Sequence, residues 1–422
     1  MAQLSDDCFS GADRLITSSE ALTILSKQIC PVTNITTVPL RAAIGRTLAE
    51  DIASQADVPP YANSAVDGYA VFFDDINSST PTKLPIGGRA AAGHPLGHSA
   101  RRGEAIRIFT GARMPTGLDT VMMQEDCSEA DGIVTIAPGI KFGANCRAAG
   151  EDVTKDQKIL NCGLRLRPQE VGLAAAVGLT EIKVFEKVRA AIFSTGDEVI
   201  EPGEVMTAGK IYDSNRYTIM SALECLGCEV NDLGILPDSP HQIARAIQMA
   251  AKSHDVLITS GGMSVGEEDH VGKAVSQNGN LHFWRLAIKP GRPVSLGQIN
   301  TKNRNAAFIG LPGNPVAAMV TFLLIGRPLL LRLGGATEIL PTVYRVKAGF
   351  AHKKKPDRRE YVRARLENAP NGAIQAQKHG ASGAGILSSL VGADGLVELP
   401  EDMTELTAGS PVDFLPFNEV LG

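Results

Sequence analysis

Three carboxylates follow two adjacent glycines in TSGGMSVGEEDHV, residues 259–271, just after the apolar run DVLITS. Backbone N–H groups at a glycine turn or helix start receive anions well. Carboxylates repel anions unless a cation lies between, so a di- or oligophosphate carrying Mg2+ reconciles the two features. Here Ser260, Gly261 and Gly262 are the candidate contacts, with the carboxylates Glu267, Glu268 and Asp269 just after them. Three further loops have the same character. STGDEVIEPGE supplies Glu198 after Gly196 and Asp197, YDSNRYTI supplies Asp213 and Ser214 ahead of a helix, and LPGNPVA supplies Pro312 and Gly313. Any one of these could be an ordinary turn. Four at the end of one sheet point to a phosphate site.

A cationic stretch, HFWRLAIKPGRPVSLG (282–297), sets Arg285, Lys289 and Arg292 around a Pro-Gly turn. Prolines on both sides fix the loop and present its charges, which suits an oxyanion. In KKKPDRREY (353–361) the lysines read as a solvated face, whereas Arg359 at a strand start could point inward. Asp67 in NSAVDGYAV reads locally as an Asp-Gly turn, Thr110 in IFTGARMP as a strand-end turn, and GEDV offers Glu151 and Asp152. No GxSxG elbow is present, and the eight histidines form no evident triad, which argues against a serine hydrolase.

These residues need elements to hold them. SSEALTILSKQI predicts a helix capped by Ser18 or Ser19, and Leu40–Leu48 has helical texture. From 54 to 155, short alternating runs punctuated by Gly and Pro predict a small β-domain. From about 188, strands alternate with helices (RAAIFST, Ser214–Gly227, CEVNDLGIL, Pro240–Lys252, DVLITS, FIGLPGNP), which predicts a mostly parallel sheet covered on both faces. Ligands of such sheets sit at the carboxyl ends of the strands. The tail from 340 returns to short strands and predicts a small barrel or sandwich.

Composition narrows the function classes. A net charge of −5 and a pI near 6.0 disfavour non-specific nucleic-acid binding. The N-terminus has neither a basic nor an apolar signal region, and TFLLIGRPLLLRL (321–333), broken by Arg327, Pro328 and Arg332, reads as a buried helix rather than a membrane span. Seven scattered cysteines fit a reducing cytoplasm. Cys225 and Cys228 form a CxxC without a second zinc-type pair, so buried structural thiols are expected, with redox or metal chemistry as the alternative.

Taken in order, NSAVDGYAV, IFTGARMP, GED, STGDEV, YDSNRY, TSGGMSVGEEDHV, FWRLAIKPGRP and GLPGNPVAA resemble the molybdopterin molybdenumtransferase family, which includes the gephyrin E domain. The resemblance covers about residues 15 to 420. It implies an α/β and β multidomain fold: a discontinuous elongated linker domain (15–53 and 156–187), a β-domain (54–155), a three-layer α/β domain (188–338) and a C-terminal β-barrel-like domain (339–422). It also implies a cytoplasmic homodimer that inserts molybdate into adenylylated molybdopterin and releases AMP with Mg2+ assistance. Asp67, Glu198 and Asp269 would be catalytic, with Asp269 and Glu198 meeting Mg2+. Thr110 and Asp152 would line the cleft. Lys289, Arg292 and Arg359 would hold molybdate or the pterin's anionic groups, with Ser382 nearby. The cleft would lie between the α/β domain of one subunit and the β-domain of the other. An adenylylating protein and recipient molybdoenzymes would be partners, without nucleic acid or membrane insertion.

The chain departs from the family pattern at Val66, His270, Ala317 and Ala384. The two alanines remove hydroxyls that could bond molybdate. Two other readings stand beside this one: adenylylation of molybdopterin or cleavage of a nucleotide pyrophosphate by the α/β domain, and an oligomeric scaffold without turnover. A scaffold would have no need of Asp67, Asp269 and Lys289 together.

Overall fold

A computed structural model describes residues 15–261, 270–370 and 372–421. At its centre a seven-stranded sheet runs in the order Leu15–Ile16, Gly279–Leu286, Pro293–Asn300, Asn305–Leu311, Val256–Ser260, Arg189–Thr195, Glu229–Leu236. Pro293–Asn300 pairs antiparallel with both neighbours and the other pairings are parallel.

Side chains alternate between two cores. Ala190, Ile192, Ile258 and Ile309 enter one, while Ala191, Phe193, Leu257 and Phe308 enter the other. Burial on both faces is why these strands read as unbroken apolar runs. Phe193 and Phe308 are fully buried, each worth roughly 1.5–3 kcal/mol of apolar transfer. Helices Ser18–Gln28, Ser214–Cys225 and Pro315–Thr321 contribute to the first core, and Pro240–Ala251 and His270–Asn278 to the second. The three-layer α/β expectation therefore holds.

The first helix departs from expectation in two ways. Its cap is Thr17 rather than Ser18 or Ser19: the Thr17 hydroxyl accepts from Glu20 N, and the Glu20 carboxylate accepts from Thr17 N at 2.9 Å. Its Ala21 and Leu25 lie in the α/β core, and Leu15–Ile16 pairs with Arg285–Leu286. Residues 15–29 thus sit with the α/β layer rather than with the segment that follows. No α-helix forms over 40–48, where only the 3-10 turn Leu40–Ala42 appears. The backbone there pairs instead with the returning chain, Leu48 N to Leu164 O and Leu166 N to Arg46 O. Ile35–Pro39 pairs with Glu181–Phe185 and Ile52–Ala53 with Lys158–Leu160, around a shared core that includes Leu48, Ile52, Leu166 and Val184.

Six strands, Thr120–Met123, Gly68–Val71, Ala105–Ile108, Thr82–Ala90, Ile133–Ile136 and Cys127–Ala130, form the β-domain sheet in that order. Gly68 begins a strand. A Cβ there would collide with the carbonyl of Met122, so only glycine lets the strands meet. In the tail, Arg359–Asn368 pairs with both Ile374–Lys378 and Gly395–Leu399, and Tyr344–Ala348 and Pro411–Pro416 close the ring. The tail is a barrel.

The helical stretch Pro315–Leu333 is apolar enough to span a bilayer, yet 89% of its most apolar window is buried inside the protein. It is a core helix, as the sequence suggests. The CxxC expectation holds only in part, because Cys225 is exposed while burial pushes the Cys228 thiol up to about 12.

Candidate functional site

The KPGR loop is where the α/β sheet's connection meets the barrel. Ile288–Lys289 pairs in parallel with the barrel strand, placing Lys289 in register with Glu360. The Lys289 ammonium donates to Glu360 Oε1 at 3.0 Å, and His352 Nε2 meets the same oxygen at 3.1 Å. Gly291 follows at φ +102°. A Cβ on it would overlap Thr321 Oγ1 and lie 3.1 Å from Ala317 O, so the turn is held against the core helix.

A cleft of about 590 Å³ opens at this junction. From the α/β side come Glu198, Gly261, Lys289, Arg292, Pro312 and Gly313. Arg363, Lys378, His352, His379, Glu360 and Ser382 face them from the barrel side. The strand-end loops are tied together. Asn215 Nδ2 donates to Ser260 Oγ at 2.9 Å and to Gly313 O at 2.7 Å, and Ser260 Oγ donates to Pro312 O at 3.1 Å. Ser260 thus shapes the site through its neighbours. Val316 N donates to Ala384 O, closing the far wall, where Ala317 and Ala384 present methyl groups.

Arg363 is the group that the sequence reading missed. Only 7% exposed, it donates through Nη2 to Ala381 O at 2.8 Å, and its Nε has no hydrogen-bond partner among the described residues. Among the described residues no carboxylate pairs with it, and burial lowers its pKa, disfavouring the charged form. A buried guanidinium of this kind is costly unless an anion completes it. Arg359, expected to hold the anion, is already committed: it bonds Glu398 and meets Glu401 Oε2 at 2.9 Å. Strand spacing alone could have raised Arg363, two side-chain periods along from Arg359.

Asp213 is likewise committed. It caps its helix through Arg216 N at 3.1 Å and accepts from Arg216 Nε at 2.9 Å, and Glu201 and Asp232 complete the ring around that buried arginine. Ser214 starts the helix, and its carbonyl accepts from Thr218. Gly262 and Asp269 lie outside the described residues.

Asp67, Thr110 and Asp152 do not line this cleft. Thr110 donates to Asp67 Oδ1 from its amide at 2.8 Å and its hydroxyl at 2.9 Å, and these bonds hold the carboxyl below its usual range. Asp152 lines a separate hollow of about 420 Å³ with Glu151, Arg147 and the buried Asn63. One chain therefore carries the expected site in separated parts.

No three His, Cys, Asp or Glu side chains converge as a metal site among the described residues. Glu198 faces the cleft, while Glu360 is occupied by Lys289 and His352. The described residues alone do not fit a resident Mg2+ ion.

Fold and site together define a multidomain α/β protein with a cation-lined cleft between its α/β sheet and a small barrel. Residues 16–178 match the MoeA N-terminal region (domain I and II), 191–332 the probable molybdopterin binding domain, and 345–417 the MoeA C-terminal region (domain IV). The chain is 37% identical to a molybdopterin molybdenumtransferase of Haemophilus influenzae, covering 97% of this chain and 100% of that one. It is 33% identical to one from Nostoc, over 89% and 87%. A crystal structure of a molybdopterin biosynthesis protein from Pyrococcus horikoshii superposes with a TM-score of 0.80 at 29% identity, covering 96% and 100%. This chain belongs to the molybdopterin molybdenumtransferase family of enzymes.

Proposed function

We propose that this protein inserts molybdate into adenylylated molybdopterin, releasing AMP and the molybdenum cofactor. The observation that carries the reading is Arg363, a buried guanidinium without a carboxylate partner among the described residues, turned into a cleft shared with Lys289, Arg292 and Lys378. A tetrahedral dianion supplies the charge this wall lacks. Holding molybdate there brings it to the dithiolene at high effective concentration. Water attacks the phosphoanhydride, AMP leaves, and the pterin keeps its phosphate. Exchange of molybdate oxo groups for dithiolene sulfurs releases water. The cations stabilise charge throughout.

The strand-end loops, tied by Asn215 and Ser260, suit the nucleotide phosphates. Mg2+, when present, supplies charge neutralisation between phosphate and carboxylate, and Asp269 and Glu198 are the residues proposed to meet it. Asp67, Thr110 and Asp152 are proposed to complete the cleft from a second copy of the chain, which makes the working form a homodimer. The four-unit division at 54–155, 188–338 and 339–422 around a linker of 15–53 and 156–187 is part of the same reading, with residues 15–29 transferred to the α/β unit. A cytoplasmic setting and contacts with an adenylylating protein and recipient molybdoenzymes complete it.

The test is molybdate-dependent AMP release by purified protein, compared with Arg363→Ala and Asp269→Ala. The reading requires release that needs molybdate and falls at least a hundredfold in both variants. Release indifferent to molybdate would move the protein to nucleotide pyrophosphate cleavage.

A further inference from the structure

Glu360 is a puzzle if the cleft exists to hold a dianion. It is 8% exposed, lines the cleft, and places a carboxylate where the incoming charge is negative. Its position is built in. The parallel register Lys289–Glu360 brings the two side chains together, and His352 Nε2 donates to the same oxygen. Lys354 and Arg363 also feel its charge. Lys289 and His352 stay attached to Glu360 while the ammonium keeps further donors for a ligand. The carboxylate is therefore held in the cleft wall by two donors instead of swinging away.

Charge decides what this does. Among the described residues, four permanent cations line the cleft, Lys289, Arg292, Arg363 and Lys378, against the carboxylates Glu198 and Glu360. Without Glu360 a small dianion would meet a wall with one more uncompensated positive charge. Even at about 10 Å and an effective dielectric of about 20, a unit charge changes anion affinity by at least about tenfold. A transferase must release its oxyanion to the acceptor, and ground-state binding that is too tight slows that transfer.

We propose that Glu360 is an affinity-setting residue of the oxyanion pocket, holding dianion binding loose enough for transfer. This rests on the oxyanion reading above. Molybdate and sulfate binding are measured by calorimetry for the wild type, Glu360→Gln, Glu360→Asp and Arg363→Ala, with melting curves for each. Glu360→Gln keeps an oxygen for Lys289 and removes the charge. The expected result is about tenfold tighter binding of both dianions, a lower kcat with a lower KM for molybdate, and Glu360→Asp within about twofold of wild type. Unchanged or weaker binding in a folded Glu360→Gln protein overturns the proposal, as does equal tightening in Glu360→Asp, which would assign the effect to geometry. Failure of the oxyanion reading has a different signature: wild type and Arg363→Ala would bind molybdate equally poorly.

Discussion

Arg359 and Arg363 stand four residues apart on one barrel strand and have opposite roles. Arg359 is saturated by Glu398 and Glu401, whereas Arg363 reaches backbone carbonyls and the cleft. Removing Arg359 leaves two partly buried carboxylates beside each other. Arg359→Ala should cost about 2–4 kcal/mol of barrel stability with KM for molybdate unchanged, read by chemical denaturation and steady-state kinetics.

Arg363→Lys separates charge from shape. A lysine restores the cation but not the planar fork that addresses two oxygens at once. Molybdate KM should rise roughly tenfold in the lysine variant, losing about 1.4 kcal/mol, with further loss in Arg363→Ala and little change in melting temperature.

Thr110→Val removes the hydroxyl bond to Asp67 and keeps the amide bond. The Asp67 pKa should move back up toward the ordinary carboxyl range, visible by NMR titration of the carboxyl carbon. The sign follows from linkage. A depressed folded-state pKa gives a stabilising contribution that is present above the unfolded value and lost as pH falls through the folded one. The variant should accordingly lose less stability on acidification, and that smaller loss should be complete at a higher pH than in the wild type. Activity at neutral pH tests whether the hydroxyl has a further role.

Gly291→Ala tests the pinned turn. The new methyl meets Thr321 Oγ1 and a left-handed φ of +102°. Stability should drop by more than about 1 kcal/mol, with molybdate KM raised as Lys289 and Arg292 move. Asn215→Ala should instead weaken the nucleotide side, raising KM for the adenylylated pterin while leaving molybdate binding intact.

Much of this was legible in the chain. Strands buried on both faces announced themselves as apolar runs, and glycine-rich strand ends marked the loops at the cleft. What escaped was what depends on partners distant in sequence. RREYVR shows three arginines, and only the fold reveals that Glu398 and Glu401 take Arg359 and leave Arg363. The texture of Leu40–Leu48 is helical, yet pairing with residues 164–166 overrides it. Asp213 looked available because its counter-charge, Arg216, reads as an ordinary helical residue.

The two-residue strand Ile288–Lys289 also has a mechanical consequence. It belongs covalently to the α/β sheet's connection and by hydrogen bonding to the barrel, so it rivets the two walls of the cleft along one edge. A second tie, Val316 N to Ala384 O, joins the loops around Gly313 and Ser382 across the same cleft. The cations of the KPGR turn are therefore carried in a frame fastened at two places, as a picture is held by opposite edges of its mount.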